Sequence, residues 1–138
     1  MTKNRLKKFS IRAAVAFFII LAVLTYLSGT IDNMLLPKVK TSDVIVGTLS
    51  GEANGNMQTK YLLPLSSVNS FGESGSVFVI NTDESEKTRV NEVSVTITGE
   101  DDLYYEVTST GLFSDMKVVY KASKSISDGD RVYIEENY

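Results

Sequence analysis

The chain has 138 residues, 43% of them hydrophobic and 22% charged, with no Cys, no His, no Trp and only 2 Pro. That length has room for one modest domain. Without Cys there are no disulfides, thiolate nucleophiles or thiolate metal sites; without His there is no imidazole base for the usual Ser or Cys triads and no commonest ligand of catalytic zinc.

The net charge of -3 hides a division along the chain. Lys3, Arg5, Lys7, Lys8 and Arg12 fall in the first 12 positions with no acid among them, which leaves 9 basic against 17 acidic residues beyond, a balance of −8. A surface for nucleic acid needs clustered Lys and Arg on the folded part, so an acidic body argues against that partner. Residues 13–31 carry no charge until Asp32. At about 1.5 Å per residue they reach about 28 Å, close to a hydrocarbon core of about 30 Å. Arg12 is placed to snorkel at one end and Tyr26 to sit at the other interface. The basic flank predicts a cytoplasmic segment 1–12, a transmembrane helix 13–31 and an extracytoplasmic domain 32–138, in the cell membrane as a single pass. A cleaved signal peptide would end in a small-x-small site, but the exit here reads Thr-Tyr-Leu-Ser-Gly-Thr. A buried core helix would have no reason for the one-sided basic flank. Pseudopilins share the basic leader but carry an early helical Glu, and residues 9–24 contain no acid.

From Asp32 onward the helix signals stop and apolar residues come in short β-branched or aromatic runs, separated by Gly, Asn, Asp and Ser. Strands are expected over 42–49, 58–65, 76–81, 89–98, 103–109, 116–120 and 131–135. The fourth has the cleanest period of two: Val93, Val95 and Ile97 on one face, Ser94, Thr96 and Thr98 on the other. Residues 99–102, Gly-Glu-Asp-Asp, read as a hairpin connection. Composition makes loops of Gly51-Glu-Ala-Asn-Gly-Asn, 69–76 and 81–87. The fold class is therefore all-β, one small barrel or sandwich after an N-terminal transmembrane helix, with the choice between the two left open.

Three acidic groups invite a cation reading. Asp83, Glu84 and Glu86, and likewise Glu100, Asp101 and Asp102, lack the six to eight oxygen ligands at set spacing that calcium needs, and solvated hairpin tips explain both. Asp128-Gly-Asp130 is a fragment of a calcium loop without its other ligands; a tight turn into the last strand accounts for it. No metal or cofactor is expected. Ser–Lys catalysis is the nucleophilic scheme that survives without His and Cys. The Ser-Met-x-Pro segment of signal peptidases is absent, however: Pro37 follows Met-Leu-Leu, and Lys121-Ala-Ser-Lys-Ser reads as a solvated connection. The chain is expected not to be an enzyme.

The order of segments in the second half is similar to a known arrangement. Tyr61-Leu-Leu-Pro-Leu-Ser-Ser-Val68 is followed by Gly75-Ser-Val-Phe-Val-Ile80 and Arg89-Val-Asn-Glu-Val-Ser-Val-Thr-Ile97. Gly111-Leu-Phe-Ser-Asp-Met-Lys-Val-Val119 and Ser125-Ile-Ser-Asp-Gly-Asp-Arg-Val132 close the series. This set resembles the end of periplasmic adaptor proteins, or membrane fusion proteins, of the haemolysin-secretion-D-like type, closest to those of Gram-positive bacteria that serve ABC exporters of the macrolide-exporter type. Leu36-Pro-Lys-Val-Lys40 and Val44-Ile-Val-Gly-Thr-Leu49 resemble the first strands after the anchor in such adaptors. A complete adaptor inserts a lipoyl-like domain, a helical hairpin and most of a β-barrel domain before the Leu-Pro-Leu-Ser-Ser segment. Here 50–60 alone separate the two parts, and eleven residues hold no heptad hairpin. The resemblance thus implies an anchor plus a membrane-proximal domain, whose N- and C-terminal strands pair with each other.

The function this implies is a non-catalytic, membrane-anchored accessory subunit of an ABC-type export complex, partnered by the membrane and the exporter's permease, with an oligomer also open. Phe71, Tyr104, Tyr105, Phe113 and Tyr120 are the candidate partner contacts, some of them expected to be core. The alternatives are a stand-alone cell-surface binding module for a cationic peptide or small ligand, recruited by the acidic body, and a truncated relic.

Overall fold

The computed structural model describes residues 2–49 and 58–136. It divides into two compact units, Met1–Leu36 and Pro37–Tyr138.

The first unit is one helix, α1, Thr2–Leu35. Its apolar stretch Leu6–Ser28 is 23 residues, about 35 Å at the α-helical rise and long enough to cross a membrane. The hydroxyl of Thr25 donates to the Leu21 carbonyl at 2.8 Å and that of Thr30 to the Tyr26 carbonyl at 3.5 Å, so these polar groups are satisfied within the helix. The helix outruns the expected 13–31 at both ends. The basic head joins it, and Asp32 lies inside its last turn rather than beyond it. Pro37 supplies the stop, because its ring disfavours helical geometry at Leu36.

The second unit is all β, as composition and turn residues predict. Among the described residues nine strands form one sheet: β1 (Lys38–Asp43), β2 (Ile45–Val46), β3 (Lys60–Pro64), β4 (Val68–Phe71), β5 (Ser74–Thr82), β6 (Thr88–Glu100), β7 (Tyr104–Thr108), β8 (Lys117–Ala122) and β9 (Tyr133–Ile134). The order across the sheet is β2-β3-β7-β6-β5-β8-β1-β9, with β4 on β5. At one end the sheet closes: β9 runs parallel to β1, and Arg131 just before it bridges Arg89 of β6. The Val90 and Val132 N–H groups donate to the Asp130 and Thr88 carbonyls, and those of Tyr133 and Glu135 to the Pro37 and Val39 carbonyls. A ring of β6, β5, β8, β1 and β9 results. The first and last strands of the domain therefore lie side by side.

Two cores occupy opposite faces of the central strands. Val77 and Val79 of β5, Val95 of β6 and Val118 of β8 join Leu63, Val107 and Leu112 in the larger core. Phe78 and Ile80 of β5, Val90 of β6 and Val119 of β8 turn the other way, toward Val39 and Val132 inside the ring. Strand alternation allows one run, Val-Phe-Val-Ile, to feed both.

The expected alternation of β6 is present: Val95 is buried while Ser94, Thr96 and Thr98 are exposed. Three readings need correction. The strand expected over 42–49 is two strands, β1 starting earlier at Lys38, and Val44 between them donates its N–H to the Met116 carbonyl. The loop expected over 69–76 is a hairpin, β4 and β5 joined at Gly72, whose φ of 74° suits the turn. Gly99 and Glu100, expected in a turn, lie in β6, and the turn falls one step later. The loop expected over 51–56 lies outside the described residues.

Candidate binding surface

The turn carboxylates are structural acceptors. Asp83 takes the N–H groups of Ser85 and Lys87 on Oδ1, at 2.9 and 3.0 Å, and Arg89 Nε on Oδ2. The Lys87 N–H above all holds its carboxyl below the ordinary aspartate range. Asp101 Oδ1 accepts from the Leu103 and Tyr104 N–H groups, Asp128 Oδ1 from Glu92 N–H, and Asp130 Oδ2 from Ser127 N–H. Each ties a turn or pins a neighbouring strand, as short Asp side chains do.

One carboxylate differs. Glu106, in β7, is 4% exposed. Its Oε1 accepts from Lys60 Nζ at 2.7 Å and from the Thr98 hydroxyl at 2.8 Å; its Oε2 accepts the Leu49 N–H at 2.8 Å. The Lys60 ammonium, aided by the Leu49 and Thr98 donors, holds its carboxyl below the ordinary glutamate range, against burial, which pushes it up. The register of β6 against β7 shifts between Ile97 and Gly99, a β-bulge that leaves Thr98 over Glu106. Leu49 and Lys60 flank the 50–57 segment in the sequence, so Glu106 clasps the chain on either side of it. Sequence reading missed this residue. The signal was a lone acid inside the apolar run Leu-Tyr-Tyr-Glu-Val.

One cavity is a groove of about 740 Å³ whose lining includes Gly75, Val95, Tyr61, Leu112 and Phe113. No charged residue lines it among the described residues. The Tyr61 hydroxyl donates to the Leu112 carbonyl at 2.7 Å, which fixes the 109–113 connection along one side. The close approach of β4 demands Gly75: a Cβ there would meet the Asn69 carbonyl oxygen at 2.8 Å.

The five predicted contact residues separate into two kinds. Phe71 is 76% exposed and Phe113 55%. Phe113 and Ser74 line the groove, and Phe71 pairs with Ser74 across the β4–β5 ladder. Tyr104, Tyr105 and Tyr120 are half-buried, and Tyr105 packs on the larger core. Consecutive on β7, Tyr104 and Tyr105 point to opposite faces, so the five do not make one patch. Comparison with family models, curated proteins and solved structures finds no match to this chain.

Proposed function

We propose that the chain is a non-catalytic, membrane-anchored accessory subunit of an ABC-type exporter, with its basic head in the cytoplasm and its β domain on the outer face of the cell membrane. The observation that carries the reading is the pairing of β1, which begins three residues after α1 ends, with β8 and β9 at the far end of the sequence. That pairing is what an anchor plus a membrane-proximal adaptor domain requires. The adaptor-like order from Tyr61 to Val132 supports it, and so does the place where a full adaptor carries its insertion. There Val46 pairs with Tyr61 and Gly47 N–H reaches the Lys60 carbonyl, so the domain is closed without the inserted parts. The helix binds beside the permease's transmembrane helices, and Phe71 and Phe113 are the exposed aromatic contacts. Gentle solubilisation and purification of the tagged full chain tests this. Recovery of a permease subunit supports it; a chain that purifies without one overturns it.

A second reading, a cell-surface binding module, has the groove in its favour. Its uncharged lining suits a neutral polar ligand and gives a cationic peptide no carboxylate to pair with.

A further inference from the structure

Only Leu36 and Pro37 separate the end of α1 from the start of β1. Three Cα steps span at most about 10 Å, so the chain length holds the Lys38 Cα within that reach of Leu35. Val39 is fully buried in the ring core, which turns its neighbours Lys38 and Lys40 outward. The register places Lys121 of β8 opposite Lys40, and Tyr133 of β9, 53% exposed, opposite Lys38. Three ammonium groups and a phenol thus share the outer face of three adjacent strands.

Like charges directly opposite one another weaken a ladder. Lys60–Glu106, Arg89–Asp83 and Lys117–Asp43 form ion pairs in the domain, and among the described residues none of these involves Lys38, Lys40 or Lys121. Glu135, which follows on the Tyr133 side of β9, makes no ion pair with them either among the described residues. Unpaired positive charge is gathered here in a chain whose balance beyond the basic head is −8. Such a local conflict is the kind a folded domain keeps for a partner.

We infer that the face formed by Lys38, Lys40, Lys121 and Tyr133 docks on the anionic phospholipid headgroups of the membrane that α1 enters. The inference rests on α1 being an anchor. Lysine ammonium groups near an anionic bilayer are drawn by its surface potential, and tyrosine settles at the headgroup level. Because lysine acts as a compact point charge and not as a bidentate fork, the face reads the charge density of the bilayer without selecting one headgroup.

The absence of Cys and His makes the test clean. A spin label at Ser125→Cys reports on this end of the domain. A second label at Asp102→Cys, at the opposite end of the thirteen-residue β6 from the Arg89–Arg131 bridge, is the control. The full chain is reconstituted into vesicles carrying nickel-chelating headgroups, either with zwitterionic lipid or with added phosphatidylglycerol. Nickel relaxes the Ser125 label in the anionic vesicles; in zwitterionic vesicles, in high salt, or with Lys38→Gln, Lys40→Gln and Lys121→Gln combined, the effect is lost. Each single substitution lowers the docked-to-free ratio about fivefold. The Asp102 label stays unaffected throughout. Equal relaxation in both lipids, or none in either, overturns the docking face while the anchor stands if alkaline carbonate fails to extract the chain. Release by carbonate overturns the anchor as well.

Discussion

Lys60 Nζ lies 2.7 Å from Glu106 Oε1, and the carboxylate it meets is buried with no unsatisfied oxygen. The pair joins β3 to β7 on the side of the sheet where β2 forms the edge. A buried charge of this kind is costly to orphan and of little net worth against an apolar replacement, so its effect shows when one partner is removed. Glu106→Gln leaves the Lys60 ammonium without its counter-charge and is expected to destabilise the domain by about 2–3 kcal/mol. Urea unfolding of the full chain in detergent, followed by tyrosine emission because the chain has no Trp, measures the loss.

The same carboxylate sets a pH dependence, and Asp83, in the β5–β6 turn, adds to it. Both are held below their ordinary values of 4.5 and 3.8, Glu106 chiefly by Lys60 and Asp83 chiefly by the Lys87 N–H. A carboxyl that gives up its proton more readily when folded stabilises the fold above its unfolded value, and that contribution disappears as pH falls through the folded one. Domain stability is therefore expected to be level near neutrality and to decline below about pH 4.5. Glu106→Gln flattens part of that decline. Unfolding midpoints from pH 7 down to 3, for both forms, check the sign.

Two glycines are sensitive to substitution for different reasons. At Gly75 an added Cβ meets the Asn69 oxygen at 2.8 Å and Val68 Cγ1 at 3.1 Å, and the oxygen belongs to backbone held in the β4–β5 ladder. Gly75→Ala is expected to cost about 1–3 kcal/mol by overpacking. At Gly72 the space is open and only the φ of 74° opposes a side chain, so Gly72→Ala costs about 1–2 kcal/mol and Gly72→Asn less. Paired denaturation curves of the three variants separate crowding from backbone strain.

Tyr61→Phe removes the hydroxyl that holds the Leu112 carbonyl and leaves that carbonyl buried without its donor. A loss of about 1–2 kcal/mol is expected. Faster amide exchange over 109–113, relative to the β5–β6 hairpin, checks that the effect is centred on the groove wall.

Where one physical signal governed a segment, the sequence was readable. The uncharged run after Arg12 gave the apolar helix, and Val93, Val95 and Ile97 against Ser94, Thr96 and Thr98 gave the two faces of β6. What was hidden depends on partners distant in sequence. Asn69–Phe71 reads as polar loop because Asn-Ser-Phe has little β character of its own; it lies in a strand because β5 runs alongside. Val-Phe-Val-Ile in β5 shows a strand buried on both sides, but nothing local says that Val77 and Val79 serve one core and Phe78 and Ile80 another. Closure through Arg89 and Arg131 joins residues 42 positions apart, and the pattern of neither segment announces it. Of the candidate contacts, exposure was legible for neither Phe71 nor Phe113, since the same residue type in a strand packs inward as often as not.

The most direct test of an anchored domain outside the membrane is external protease treatment of intact cells stripped of any wall, with one epitope at each end of the full chain. The account predicts that the C-terminal epitope is digested while the N-terminal epitope survives on a membrane-bound fragment containing α1. Survival of both epitopes until the cells are lysed, or recovery of the whole chain in the soluble fraction, would contradict it.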